Sequence, residues 1–141
     1  MVEQAATAED VGAICMSLPE VEFGIAWRRP AYKVPRGGKG RWFLLYRAPQ
    51  KNVVNPATGE PFDDLLVILV PDAATKAALL EDASLPFFTI PHFDGHNSVL
   101  VQQSRLGELS RDRLEEIVIE SWATVAPDEL TAPYFAQHPP A

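Results

Sequence analysis

Apolar residues recur at helical spacing in two stretches of the chain. Between residues 8 and 18 they fall at i, i+3, i+4 and i+7, and Thr7 followed by Asp10 is typical of a capping-box helix start. A longer apolar stripe follows Ser110. Its members are Leu114, Ile117, Val118, Ser121, Trp122 and Val125. The spacing predicts helices over 8–18 and 110–125, each with one buried face.

A third helix is predicted after a continuous apolar run. Residues 65–70 are apolar throughout, which is typical of a strand covered on both faces or lying centrally in a sheet. Pro71-Asp72 then begins a helix over about 73–82. Its apolar face is expected at Ala74, Ala77, Ala78 and Leu80.

Short stretches rich in β-branched and aromatic residues alternate with turn sequences. We predict strands over residues 21–27, 31–34, 41–47, 65–70, 87–93 and 98–103. Arg28-Arg29-Pro30 and the glycine-rich segment 35–40 separate the first three strands, and Asp94-Gly95 suits a tight hairpin turn between the last two. This pattern predicts an α+β fold of two layers: an antiparallel sheet of about five or six strands, with helices packed mainly on one face.

The length of 141 residues is sufficient for one hydrophobic core, and no repeat or second core is visible in the sequence. We therefore expect a single domain over residues 1–141. Its core is expected at about 8–127, with a C-terminal extension at 128–141.

These segments, taken in order, resemble the MmcQ/YjbR family, whose members are described as DNA-binding proteins with a double-wing arrangement. The resemblance covers about residues 11–127. It rests on LP.VE after the first helix, AYKV…GKGRWFLLY, LLVILVPD, FFTIPHFDGHNSVLV and L..LSRDRLEEIVIESWATVAP. It implies an α+β domain of a bacterial protein with a role at DNA and no agreed catalytic site. Residues 55–64 depart from the family pattern as an inserted, acidic loop.

The distribution of charge supports an anionic partner. The net charge is −7, yet eight of the 12 basic residues and none of the 19 acidic residues lie between Phe23 and Gly59. Such a window gives a local positive potential that the net charge conceals. The residues predicted to contact nucleic acid are Arg28, Arg29, Lys33, Arg36, Lys39 and Arg41.

Two interpretations of this basic window remain open. The cations surround a glycine-rich tip, and Trp27, Tyr32 and Trp42 could offer ring faces to bases, as in a wing that contacts DNA phosphates. Strand alternation, however, favours a core position for Trp42, and charged edges also protect a sheet from aggregation. The alternative function is a protein- or small-molecule-binding module that uses the groove between the sheet and the C-terminal helix.

His92, Asp94 and His96 form an H-x-D-x-H pattern that could in principle bind a metal ion or line a small-ligand pocket. A turn within the pattern and the lack of a fourth ligand argue against a metal, so none is expected. A hairpin turn with a side-chain bond from Asp94 is the simpler interpretation.

The sequence shows no nucleophile motif, no phosphate loop and no cofactor fingerprint, so we expect a non-catalytic protein without a cofactor. Cys15 lies on the apolar face of the first predicted helix and is expected to be buried. A single cysteine, with neither a signal peptide nor a membrane span in the sequence, predicts a cytoplasmic protein.

Overall fold

A computed structural model describes residues 4–35 and 41–139. Five strands form one sheet in the order β1-β2-β3-β4-β5, and every neighbouring pair is antiparallel. The strands are β1 Glu22–Ala26, β2 Arg29–Val34, β3 Arg41–Tyr46, β4 Leu65–Leu69 and β5 Ser98–Gln102. The helices are α1 Ala8–Ser17, α2 Ala73–Glu81, α3 Arg111–Val125 and α4 Asp128–Gln137. The predicted α+β class with an antiparallel sheet is confirmed.

The helices α1 and α3 pack against each other, and α3 packs on β3 and β4. All six predicted stripe residues of α3 are buried, and Trp122 is fully enclosed. At the start of α1, Thr7 and Asp10 form the predicted capping box. The strand β4 is buried along its whole length, as its apolar sequence predicts. The two outer strands of the sheet are β1 and β5.

The predicted strand over 87–93 is wrong. Only Phe88 pairs with β5, through a single bridge to Leu100, and Pro91–Phe93 form a 3-10 turn. Pro91 lacks an N–H, so it cannot continue a ladder of hydrogen bonds. Gly95 has a φ of +78°, but it lies in a turn between the 3-10 segment and β5 instead of in a β-hairpin. Among residues 4–35 and 41–139 the sheet therefore has five strands.

Two further helix predictions are corrected. In α2 the side chain of Leu79 is buried, whereas Ala74, Ala77 and Ala78 are exposed, because an alanine contributes little apolar area whichever way it points. The helix α4 lies within the predicted C-terminal extension and was missed. Pro133 stands inside it, and proline is a signal against a helix interior. Leu130 is buried and attaches α4 to the core.

Candidate nucleic-acid interface

The turn between β1 and β2 consists of Trp27 and Arg28. Ala26 pairs with Arg29 across the hairpin, so only two residues make the connection. Both have positive φ, +50° for Trp27 and +64° for Arg28. A two-residue turn of this kind matches the twist of the strands, but it usually contains asparagine and glycine. The predicted turn at Arg28-Arg29-Pro30 is therefore shifted to Trp27-Arg28, because Arg29 and Pro30 belong to β2.

An irregularity between β2 and β3 sets the direction of Trp42. Tyr32 pairs with Leu44, whereas the next residue, Lys33, pairs with Trp42, so Phe43 is an extra residue on β3. Tyr32 faces the helices, since a Cβ at Gly12 of α1 would lie 2.9 Å from its hydroxyl oxygen. Because neighbouring residues of a strand point to opposite faces, Lys33 and its partner Trp42 lie on the face away from α1.

On that face a groove of about 480 Å³ opens beside the turn. The rings of Trp27 and Trp42 are 5.0 Å apart at an angle of 73°, and the Trp42 ring stacks on that of His96 with 6.3 Å between centroids. Trp27 is 59% exposed, whereas Trp42 is 9% exposed. None of the lining residues is acidic. They are Ile25, Ala26, Trp27, Lys33, Arg41, Trp42, Leu69 and His96.

The predicted basic residues have different environments. Arg28 and Arg41 are exposed, and neither pairs with a carboxylate among residues 4–35 and 41–139. Lys33 lines the groove and donates to the Ile25 carbonyl oxygen at 3.4 Å. Arg29 donates from Nε to the Tyr46 carbonyl oxygen at 2.9 Å, so it ties β2 to the end of β3 instead of facing outward. Arg36 and Lys39 lie outside the described residues.

The three aromatic residues considered for base contacts also differ. Tyr32 is buried, and burial raises the pKa of its hydroxyl group. Trp42 is the buried wall of the groove, in agreement with its expected core position. Trp27 alone among these three presents most of its ring to solvent. This exposure agrees with the interpretation in which Trp27 offers a ring face to a partner.

The H-x-D-x-H pattern does not form one cluster. His96 lines the groove of Trp42, and its Nδ1 lies 2.8 Å from the Ser98 hydroxyl oxygen. His92 lines a different cavity, and Asp94 is exposed. The described residues contain no group of three or more His, Cys, Asp or Glu side chains that could hold a metal ion.

Lys76 of α2 holds the loop that carries His96, a role that the sequence did not reveal. Its Nζ donates to the carbonyl oxygens of Phe93 and His96, at 2.8 and 2.7 Å. The pKa of His96 is lowered, chiefly because burial disfavours its charged form and further because Lys76 and His92 carry or gain positive charge nearby. The imidazole of His96 therefore favours its neutral form.

The sequence also predicts a buried Cys15 and no membrane span. Cys15 is buried, and burial raises the pKa of its thiol well above the usual range. Within the described part of the chain, no helix has the length and apolar character required to cross a membrane.

Comparison with known proteins identifies the class. The YjbR family model matches residues 16–124, and the chain therefore belongs to the YjbR family. The resemblance noted in the sequence is confirmed.

Among its relatives are the uncharacterized protein Rv2570 of Mycobacterium tuberculosis and the uncharacterized protein Mb2600 of Mycobacterium bovis. Each is 31% identical over 112 residues, which cover 79% of this chain and 74% of the relative. The crystal structure of Deinococcus radiodurans protein DR2400, with a DUF419 domain, is similar with a TM-score of 0.60 and 16% identity. That match covers 93% of this chain and 86% of the other, and it shows a shared fold.

Proposed function

We propose that this YjbR-family protein binds DNA without catalysis, through the β1–β2 turn and the groove beside it. The observation that carries the proposal is the exposed ring of Trp27 next to Arg28, above a groove that contains Lys33 and Arg41 and no carboxylate. Cations at such a surface contact phosphates, and an exposed aromatic face can stack on a base.

The geometry favours contacts to the DNA backbone over recognition of sequence. The surface is built from strands and a turn, and the cations are separate side chains on it. Phosphate contacts orient a protein on DNA without distinguishing bases. Trp27 can stack only on a base that is not covered by its neighbours, so we expect single-stranded DNA to bind more tightly than duplex DNA of equal length.

The acidic remainder of the protein limits the affinity. The net charge of −7 repels DNA at long range, whereas the local cations attract it. The proposal concerns a cytoplasmic protein that forms a weak, salt-sensitive complex with DNA. If about five cations meet phosphates, the slope of log affinity against log salt is roughly −4 to −5 on duplex DNA.

A titration of labelled single-stranded DNA, duplex DNA and RNA at several salt concentrations tests the proposal. Replacing Arg28, Lys33 and Arg41 together with alanine should reduce the slope by about two to three, because each phosphate contact contributes about 0.7–0.9. The matched control is Arg111→Ala with Arg113→Ala. These arginines already pair with carboxylates, Arg111 with Glu115 at 3.2 Å and Arg113 with Glu116 at 3.1 Å.

A second variant tests the stacking contact. Trp27→Ala should weaken binding to single-stranded DNA by about 1–3 kcal/mol and leave the salt slope unchanged. Phe23→Ala is its control, because Phe23 is also an exposed aromatic residue of the same hairpin. Absence of salt-sensitive binding even near about 50 mM salt would refute the proposal, since electrostatic attraction is strong there. Tighter binding to RNA would assign the surface to a different nucleic acid.

The alternative, a module that binds a protein or a small molecule between the sheet and the C-terminal helix, stays a prediction. Between α3 and β3 the space is filled, since the hydroxyl group of Ser121 donates to the Phe43 carbonyl oxygen at 2.8 Å and Val118 and Trp122 are fully buried. Grooves do border α3 where it meets α2 and α4.

A further inference from the structure

Arg47, which follows β3, is a cation with an unusual environment. Its guanidinium carbon lies 5.2 Å from the centre of the Phe93 ring. Its Nε is buried and has no hydrogen-bond partner among residues 4–35 and 41–139, and no carboxylate of those residues forms an ion pair with it. Partial burial lowers the pKa of Arg47. Such a group is costly to leave without an anion, because it has lost part of its hydration.

A cavity of about 510 Å³ opens beside this side chain. The amides of Gln50 and Asn52 and the ring of His92 supply polar groups, and Phe62 and Ile90 supply apolar surface. None of the residues that line it is acidic. They are Arg47, Gln50, Asn52, Val53, Val54, Phe62, Ile90, Pro91 and His92. The volume suits a small organic molecule.

The loop over residues 50–62, which forms one wall of the cavity, is held by its own backbone pairing. Phe62 N–H donates to the Val53 carbonyl oxygen at 3.1 Å, and Val54 pairs with Pro61 in an isolated bridge. The ring of Phe62 lies 5.3 Å from that of Phe88, two residues before Ile90 of the cavity lining.

The acids of this loop do not neutralise Arg47. The carboxylate of Asp64 accepts a hydrogen bond from the Ser104 N–H at 3.0 Å, and Glu60 and Asp63 are exposed. Phe62 is the one residue of the predicted insertion, 55–64, among those that line the cavity. Among the described residues, no acid of the insertion forms an ion pair with Arg47.

We infer that this cavity binds a small organic anion, with the carboxylate or phosphate group on Arg47 and an apolar body against Phe62 and Ile90. Arginine suits both anionic groups, since its planar fork can donate two parallel hydrogen bonds. Stacking on Phe93 keeps the guanidinium in place, so little side-chain freedom is lost on binding.

This site is separate from the proposed DNA surface. Arg41 and Arg47 lie at opposite ends of β3, and the two sets of lining residues have no member in common. A variant that loses DNA binding can therefore keep binding of the small anion, and the reverse also holds.

Nuclear magnetic resonance titrations with benzoate, phenyl phosphate, inorganic phosphate and benzyl alcohol test the inference. We expect one of the two aromatic anions to bind at the amides of Asn52, Val53 and Ile90, at least about tenfold more tightly than benzyl alcohol, which lacks the charge. The stronger of the two identifies the anionic group. Equal binding of benzyl alcohol, or binding of inorganic phosphate as tight as that of phenyl phosphate, would overturn the inference.

Variants identify the residue that is responsible. Arg47→Gln should weaken binding of the anion by at least about tenfold. Arg105→Gln removes an exposed cation that lines neither groove, so it should leave the affinity unchanged. Arg47→Lys keeps the positive charge but not the two parallel donors of the guanidinium group. Its affinity for the anion should therefore lie between those of the wild type and Arg47→Gln. This variant provides the test if Arg47→Gln does not fold. Unchanged affinity in both Arg47 variants, or no binding of either aromatic anion at about 10 mM, would refute the site.

Discussion

The indole ring of Trp27 meets the ring of Trp42 edge to face, with 5.0 Å between the ring centres. One ring belongs to a two-residue turn and is mostly exposed, and the other belongs to β3 and is almost fully buried. The contact fixes an exposed aromatic surface on a rigid support, which limits the conformational freedom that a partner would have to remove.

The turn that places Trp27 contains backbone strain at Arg28, whose φ is +64°. Glycine adopts this conformation without a Cβ penalty, so Arg28→Gly should raise the free energy of unfolding by about 1 kcal/mol. Arg28→Ala removes the same charge but keeps a Cβ, so it should leave stability nearly unchanged. Urea titration of the three proteins measures the difference. Equal stabilisation by both replacements would show that the charge and not the backbone is responsible.

The core depends strongly on Trp122. Its side chain is fully buried, its Nε1 donates to the Pro19 carbonyl oxygen at 3.2 Å, and its ring lies 5.1 Å from that of Tyr134. Trp122→Ala should therefore cost about 3–5 kcal/mol in a denaturant titration. Glu116→Ala, on the exposed side of the same helix, should be close to neutral. Equal stability of these two variants would contradict the orientation of α3.

Stability should also depend on the protonation of His96. Its pKa is lowered in the folded protein, so below about pH 6.5 the unfolded chain binds more protons at this residue than the folded one. Its contribution to stability is complete above that pH and is lost as the pH falls through the lowered folded value.

Urea titrations at about pH 7.5 and about pH 5.5 test the effect. His96→Gln should lose less stability between the two pH values than the wild type, because it lacks the group that gains a proton. An identical pH dependence in His96→Gln and the wild type would exclude the coupling.

The histidines should not assemble a zinc site. Nδ1 of His96 already lies within hydrogen-bond distance of Ser98, and His92 lines another cavity, so the two rings and Asp94 do not share one centre. We expect purified protein to contain no stoichiometric zinc, and His92→Ala with His96→Ala to melt at one temperature with or without chelator. One metal ion per chain in elemental analysis would contradict this expectation.

Periodicity predicted the elements with strong patterns. The stripe of α3, the capping box of α1 and the buried run of β4 are each encoded by a few neighbouring residues, and the structure confirms them. The segment at 87–93 failed because its aromatic residues are buried by tertiary contacts and not by a ladder of strand hydrogen bonds. No helix was predicted at α4, which contains Pro133, and proline is unfavourable inside a helix.

The surface proposed to bind DNA could be predicted in part from the sequence, as a prediction that no observation yet tests. The charge distribution singled out Arg28, Lys33 and Arg41, which lie at or beside the groove. It could not show that Arg29 donates a hydrogen bond to the Tyr46 carbonyl oxygen and so does not face outward. The two-residue turn at Trp27 and Arg28 was predicted slightly too late in the chain, because neither residue is one that usually occupies a turn position of positive φ. The cavity at Arg47 depends on residues from two loops about 40 positions apart, a proximity that sequence spacing cannot encode.

The carbonyl group of the extra residue Phe43 is held by the hydroxyl group of Ser121, which lies 78 positions further along the chain. A residue of a helix on one side of the sheet thus restrains the irregularity that turns Trp42 to the other side. The shape of the aromatic groove therefore depends on residues outside the three strands that line it. A synthetic hairpin of β1, β2 and β3 would contain every cation of the surface and still lack the anchor that determines its shape.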